Sequence, residues 1–256
     1  VTKREASVRI LTYNIQVAIG SHRYRHYLLH GWKHVMPHGQ TIRNLDRIAE
    51  VIKPFDVVAL QEVDSGSFRT RFVNQAEYLA EKTGFSHWDS LVTRDFGFVA
   101  QHTNSLLSRT PPSQVVTHRL PGLMEGRGLL EAEYHLDGHP VSILCTHLAL
   151  NCRARIRQVR YISDLINDRD SAILLGDFNC QPDSRGIRYF VNQTRLSTGS
   201  PLHASYPSWR PSRVIDHILT TDDLELSDLG TLPDILSDHL PVGATVRRRQ
   251  VASVAA

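Results

Sequence analysis

Five short apolar runs in this sequence stop abruptly on a polar residue. The run at 8–13 ends in Asn14, and the run at 56–60 ends in Gln61-Glu62. The run at 141–145 leads to Thr146-His147, and the run at 172–175 passes through Gly176 to Asp177-Phe178-Asn179. Val214-Ile215 and Ile218-Leu219 enclose Asp216-His217. Runs this short, rich in Val, Ile and Leu, form buried strands. Their ends are where an α/β sheet carries ligand-binding side chains. One polar strand end is an ordinary junction; five in one chain point to a shared rim.

Helical patterns separate some of these strands. Ile42, Leu45, Ile48, Ala49 and Ile52 share a face that Pro54 terminates. Ala76, Leu79 and Ala80 mark a second helix ending at Gly84, and Ile156, Val159, Ile162 and Ile166 a third. Val115-Val116 and the stretch 130–134 form strands joined without helices, so antiparallel pairing is expected mid-chain. The fold class is therefore α/β with mixed sheets. At 256 residues with 41% apolar content, the chain can bury a large core. No linker or repeat divides it, so we expect one domain over 1–256. No apolar stretch reaches the ~18 residues of a membrane span, and no signal-type apolar region follows the N-terminus, so a cytoplasmic location is expected. Cys145, Cys152 and Cys180 show no Cys-x-x-Cys spacing and are expected to be small buried residues in a reducing compartment.

Glu62, Asp177, Asp216 and Asp238, if gathered, would resist ionising together. A divalent cation removes that conflict. Hard oxygen ligands, with Asn14 and Asn179 as neutral partners, suit Mg²⁺ or Mn²⁺ rather than zinc. His147 and His239 can bind or protonate phosphate oxygens or activate water, and Asp216 can orient an imidazole.

An ordered set of motifs carries a resemblance. Tyr13-Asn14, Leu60-Gln61-Glu62, Asn104-Ser105-Leu106-Leu107-Ser108-Arg109, Thr146-His147-Leu148, Gly176-Asp177-Phe178-Asn179, Ile215-Asp216-His217-Ile218 and Ser237-Asp238-His239-Leu240-Pro241 resemble the endonuclease/exonuclease/phosphatase superfamily, over residues 8 to about 246. That group includes pancreatic-type deoxyribonucleases, abasic-site endonucleases, neutral sphingomyelinases and inositol-polyphosphate 5-phosphatases. The resemblance implies a four-layer α/β sandwich, two mixed sheets with helices outside. It implies that Asn14 and Glu62 are the principal metal pair, with Asp238 as a further ligand or metal-linked acid. It makes Asp177 the residue that positions or deprotonates water, Asn179 the amide on a phosphate oxygen, and His239 with Asp216 a dyad. It makes His147 a hydrogen-bond donor to the phosphate, and Asn104 a polar group near the scissile bond. Which member serves as base differs between relatives.

The resemblance implies a metal-dependent hydrolase of phosphoesters. The net charge of +3 is mild for a nucleic-acid binder, which favours a small-molecule or lipid-headgroup substrate over DNA. A DNA nuclease is the alternative, and an inactive binding module the remote one. Outside the motifs, the segment 20–40 holds histidines at every fourth position from 22 to 38. It is expected to be either a lid, with Arg23, Arg25, His26 and Lys33 meeting an anionic substrate, or a solvated basic surface helix. Arg127 either contacts phosphate or closes a structural salt bridge. Trp209, in Ser208-Trp209-Arg210-Pro211, either lines the substrate cleft or packs a loop. Arg153, Arg155, Arg157 and Arg160 form a solvated helix face, or a peripheral contact with membrane headgroups or a nucleic-acid backbone. Arg247-Arg248-Arg249 is expected to be a solvated tail.

Overall fold

The computed structural model describes residues 7–19, 40–122 and 126–249. Most of the segment expected to form a lid, including Arg25, Lys33 and its histidines, lies outside them.

Twelve strands are β1 (Ser7–Asn14), β2 (Val57–Val63), β3 (His87–Asp95), β4 (Gln101–Ser108), β5 (Gln114–Arg119), β6 (Gly128–Leu136), β7 (His139–His147), β8 (Ala172–Asp177), β9 (Leu196–Thr198), β10 (Asp216–Thr221), β11 (Leu224–Thr231) and β12 (Val242–Arg248). The described helices are α1 (Gln40–Ile52), α2 (Gln75–Thr83), α3 (Cys152–Asn167) and α4 (Arg185–Gln193). Two six-stranded sheets result, ordered β11-β12-β1-β2-β4-β3 and β5-β6-β7-β8-β10-β9. Both mix orientations: β1–β2 and β7–β8 are parallel, and the other pairs are antiparallel.

Strand alternation produces the layers. Ile10, Val57, Ala59 and Leu106 point from the first sheet into a shared core with Ile143, Cys145, Ile173, Leu175 and Ile218 of the second. Their neighbours face outward. Leu11, Val58 and Leu60 pack under α1 and α2 through Leu45, Ile48 and Leu79. Leu144 and Leu174 pack under α3 and α4 through Val159, Ile162 and Phe190. A strand buried on both faces has no polar alternate positions, which is why these runs are continuous in the sequence. The architecture is the four-layer sandwich expected.

Local chemistry closes the elements. The Asn74 side chain caps α2 by accepting from Ala76 N and Glu77 N, and Gly84 (φ +74°) ends it in the left-handed region. Asn151 caps α3 in the same way, and Ser184 caps α4 through Ile187 N. Two expectations change here. Arg247 and Arg248 belong to β12 rather than to a tail, and Arg248 lies 3.5 Å from Asp223. Cys145 and Cys180 are buried as expected, but Cys152 opens α3 on the surface. On α3, Arg153, Arg157 and Arg160 are exposed, whereas Arg155 donates to Ala149 O and Leu150 O.

Gly176 precedes Asp177 with φ +147°, and a Cβ there would lie 1.9 Å from the carbonyl oxygen of Thr146 on β7. Only glycine lets β8 approach β7 this closely. Gly176→Ala is expected to destabilise the fold by at least about 2 kcal/mol in urea unfolding. Wild-type stability would show that the two strands can part at no cost.

Candidate active site

The strand pairing itself assembles half of the site. β7 runs parallel to β8 and places His147 opposite Asp177, while antiparallel β10 places Asp216 opposite the same Asp177. Three functional side chains therefore stand side by side on one sheet edge. The first sheet supplies Asn14 at the end of β1, in register with Gln61 of β2.

Between Leu60 and Val63 the register of β2 against β4 shifts, and Glu62 takes φ +54°. This bulge turns Glu62 out of the ladder. Gln61 stays fully buried: its amide nitrogen donates to Thr12 Oγ1 and Ala59 O and approaches Cys145 Sγ of the other sheet at 3.5 Å.

Asp177 Oδ2 is the focus. It accepts from Asn14 Nδ2 at 3.1 Å, and His147 Nε2 and His239 Nε2 stand 3.3 and 3.8 Å away. Glu62 joins through the same amide, Asn14 Nδ2 to Glu62 Oε1 being 3.3 Å, and His147 Nδ1 lies 4.0 Å from Glu62. His239 Nδ1 donates to Asp216 Oδ2 at 2.8 Å, and Ser205 Oγ donates to the same oxygen. That bond fixes the ring so that Nε2 faces Asp177. Asp238 is buried next in sequence, with Ser237 Oγ within 3.2 Å of its Oδ1, while Ser237 also donates to Asn14 O. Ser237 thus ties the last motif to the first.

Burial and charge set the protonation pattern. Burial pushes the Asp177 carboxyl up to about 7, against the pull of His239. Burial, with Glu62 adding, pushes Asp238 up to about 6. Burial, with Arg127 and His239 adding, drives His147 well below the ordinary range, leaving a neutral ring. Burial opposes charge on His239 too, but Asp216 and Asp177 outweigh it and raise its pKa well above the ordinary value. The site thus pairs a neutral imidazole with an imidazolium.

These residues fit a cation. Ligand atoms of Asp177, Asp216 and His239 all lie within 4.8 Å of one another, close enough to coordinate a divalent metal. Among the described residues the buried Oδ1 of Asp216 has no hydrogen-bond partner, and two neighbouring acids are held part-neutral by burial, the conflict that a divalent charge removes. The tightest trio differs from the set Asn14, Glu62 and Asp238 indicated by the motifs.

The remaining residues take varied places. Asn179 (φ +52°) donates its backbone N–H to Asp177 Oδ1 and its side-chain amide to Leu148 O. It therefore braces the loop behind Asp177 as well as standing beside it. Asn104 is buried and donates to Gly128 O, which holds the start of β6 and so the neighbouring Arg127. Burial lowers the Arg127 pKa, as does Arg94, while Asp177 and Glu62 oppose this; the guanidinium lies in the field of the site without a salt bridge among the described residues. Trp209 is half-buried on a turn that packs against Asp238 through Ser208 N.

Several contributors escaped the sequence. The Tyr206 ring lies 4.9 Å from that of His239, and Ser205 shares Asp216 with it. His102 of β4 is lowered to about 4 by burial and by Arg69, with Glu62 opposing. Ser205 and Tyr206 stand shortly before Trp209, so the loop was visible but not its contact. For His102 and Arg94 no local signal exists, because a bulged hairpin brings them to the rim.

Comparison with known proteins agrees with this geometry. The model of the Endonuclease/Exonuclease/phosphatase family matches residues 11–239. No curated protein sequence matches the chain significantly. Among solved structures, an endonuclease/exonuclease/phosphatase from Beutenbergia cavernae is similar at 23% identity, covering 96% of this chain and 72% of that one, with a TM-score of 0.76. A family protein from Bacteroides thetaiotaomicron is similar at 16% identity over 97% and 100% of the two chains, TM-score 0.75. A mannosyl-6-phosphatase from Bacteroides thetaiotaomicron is similar at 18% identity over 93% and 99%, TM-score 0.71. With the family model running from the first motif into the last and a cluster able to hold a divalent cation at their meeting point, the chain belongs to the endonuclease/exonuclease/phosphatase family and is a metal-dependent hydrolase of phosphoric esters.

Proposed function

We propose that the substrate is a small-molecule or lipid-headgroup phosphoester, cleaved by in-line attack of water on phosphorus. One observation carries this reading: Asn14, His147 and His239 converge on a single carboxylate oxygen of Asp177, with Glu62 on the same Asn14 amide. Asp177 positions the attacking water and accepts its proton as the new P–O bond forms and the bond to the leaving oxygen breaks. The His239 imidazolium, held by Asp216, and the neutral His147 ring donate hydrogen bonds to phosphoryl oxygens, where negative charge builds. Asn179 holds Asp177 in place. Asn14, Glu62 and Asp238 would hold Mg²⁺ or Mn²⁺, whose positive charge neutralises phosphoryl oxygens and the leaving group.

Two observations support the substrate class. The net charge is only +3, little for a chain that follows a nucleic-acid backbone. Phe72, Phe96 and Phe98 are 66%, 59% and 73% exposed, and backbone bonds join the turns that carry them, Phe68 N donating to Phe98 O. Exposed aromatics on adjoining turns suit an interaction site, and a headgroup-bearing interface fits them. Among the described residues, no helix is long and apolar enough to cross a membrane. The similar mannosyl-6-phosphatase shows by its name that this fold serves a small phosphoester elsewhere.

The test is a panel of 4-nitrophenyl phosphate, bis(4-nitrophenyl) phosphate, supercoiled plasmid and a sphingomyelin or phospholipid dispersion, each with Mg²⁺ and with EDTA. Turnover of a small or lipid phosphoester is expected with Mg²⁺, with loss in EDTA and recovery on adding metal back. Activity on plasmid alone would make the chain a nuclease. Silence throughout would make it a binding module.

A further inference from the structure

We propose that the active-site end of the molecule docks on a bilayer of anionic lipids, through arginines of α3 and α4 and apolar side chains around the mouth of the site. This deepens the lipid-headgroup reading above, on which it rests for turnover but not for binding.

The arginines stand at the same end as the site. β7 and β8 run parallel and end in His147 and Asp177, and α3 and α4 open in the connections that follow. The connection before α3 is tied to the site by hydrogen bonds: Leu148 N donates to Asp177 O at 2.9 Å, and Asn179 Nδ2 to Leu148 O at 3.0 Å. Arg155 holds its other side, donating to Ala149 O and Leu150 O. From this braced base, Arg153, Arg157 and Arg160 of α3 and Arg185 and Arg188 of α4 are exposed. The Arg160 guanidinium lies over the Tyr189 ring at 5.7 Å, so the two helices present one basic face.

This placement runs against the helix field. Free N–H groups make the start of a helix positive, so acids are favoured there and bases at the end. α2 follows the rule, with Glu77 in its first turn and Lys82 in its last. α3 and α4 break it: neither has an acid in its first turn or a base in its last, and Arg153 and Arg185 begin them instead. Asp164 and Asp168 fall at the far end of α3. Among the described residues, none of these exposed arginines is in an ion pair, and neither is Asp183, just before α4. An anionic surface turns an arrangement that costs both helices into an attraction.

Apolar exposure is segregated in the same way. Among the described residues, the large apolar side chains more than half exposed are Phe72, Phe96, Phe98 and Leu150. Phe72 follows β2, Phe96 and Phe98 join β3 to β4, and Leu150 follows β7, all at the site end. Leu150 is 76% exposed although its own carbonyl is held by Arg155. The turns at the opposite end expose Asp137, Asp168, Asp170 and Asp222. The chain is thus basic and apolar at one end and acidic at the other, and the field of an anionic surface would orient it site-first. A bilayer accepts both features, because guanidinium groups meet its headgroups while apolar tips enter between them. A polynucleotide would satisfy the arginines and leave Leu150 in water. The arginines flank the site from the second sheet and the phenylalanines from the first, so seating both turns Asp177 towards the headgroups.

The experiment is vesicle co-sedimentation in EDTA, with circular dichroism as the folding control. The wild type should partition onto phosphatidylcholine–phosphatidylserine vesicles at least ~10-fold more strongly than onto phosphatidylcholine alone. Arg153→Ala with Arg157→Ala, and separately Arg185→Ala with Arg188→Ala, should each weaken that binding at least ~10-fold, since one arginine near an anionic surface is worth about fivefold. Leu150→Ser should weaken it at least ~threefold. No preference for the anionic vesicles, unchanged binding in the folded double variants, a comparable loss in Lys53→Ala at the opposite end, or tighter binding to duplex DNA at the same salt would each overturn the surface. These measurements need no turnover, so their failure strikes the docking surface alone, whereas silence across the substrate panel strikes the hydrolase reading.

Discussion

Replacing His239 with alanine is expected to cut kcat at least ~100-fold on any substrate the wild type turns over, while the protein stays folded. The reason is the arrangement around Asp177. His239 Nδ1 is committed to Asp216 Oδ2 at 2.8 Å, and Nε2 stands 3.8 Å from Asp177 Oδ2. In the proposed mechanism the imidazolium would bring positive charge to the point where the phosphoryl oxygens gain negative charge, and its loss would remove stabilisation made mainly in the transition state. Asp177→Asn should cost at least as much, because it removes the proposed proton acceptor and the partner of three side chains. Asp216→Asn should fall on the same function as His239→Ala, so the double variant should be little worse than the worse single one. Steady-state kinetics with circular dichroism as the folding control would decide. Rates within a few-fold of wild type in folded variants would remove both residues from the mechanism.

The second large effect concerns stability. Asp64 and Arg69 form an ion pair at 2.6 Å, with side chains 0% and 2% exposed. Asp64 also accepts from Ser67 N and Oγ, Gly66 N and Thr70 Oγ1, so its carboxylate organises the turn after β2. Asp64→Ala should cost about 3–5 kcal/mol in urea unfolding, since it strands a buried guanidinium. Asp64→Leu combined with Arg69→Met should recover much of that, because it removes both charges. The pH dependence has a definite sign. Burial works against the charge on Asp64, but hydrogen bonds from Ser67 and Arg69 outweigh it and hold the carboxyl below the usual range. A depressed folded-state pKa adds stability that is fully present above the unfolded value of ~3.9 and is lost as pH falls through the folded one. Asp64→Asn should therefore flatten the acid limb of the stability curve. An acid limb like that of the wild type would show that other carboxylates control it.

Much of this was legible in the residues. Continuous apolar runs at 8–13, 141–145 and 172–175 became strands buried on both faces, and each delivered its terminal side chain to the rim. Those positions were readable because a doubly buried strand tolerates polarity only at its end. Helices α1, α2 and α3 were likewise marked by their apolar faces, and α1 ends before Pro54 as expected. The strands β11 and β12 were not: β11 is half-exposed and alternates with charge, and β12, though mostly buried, ends in arginines that look like a tail. Within the site, motif residues were visible, but their neighbours were not. Tyr206 and Ser205 reach His239 and Asp216 through the packing of a loop onto 237–240. Asn104 was expected at the reacting centre, yet one donor of its amide is used on Gly128 O. Such assignments depend on distances, and a sequence carries none.

Titration of the protein with Mn²⁺, followed by calorimetry or by the electron spin resonance of the free ion, bears on the central claim without needing a substrate. Binding by the wild type, reversed by EDTA and weakened at least ~10-fold in Glu62→Gln, is the expected result. No binding, or equal affinity in the folded variant, would contradict the claim that these strand ends close around a cation.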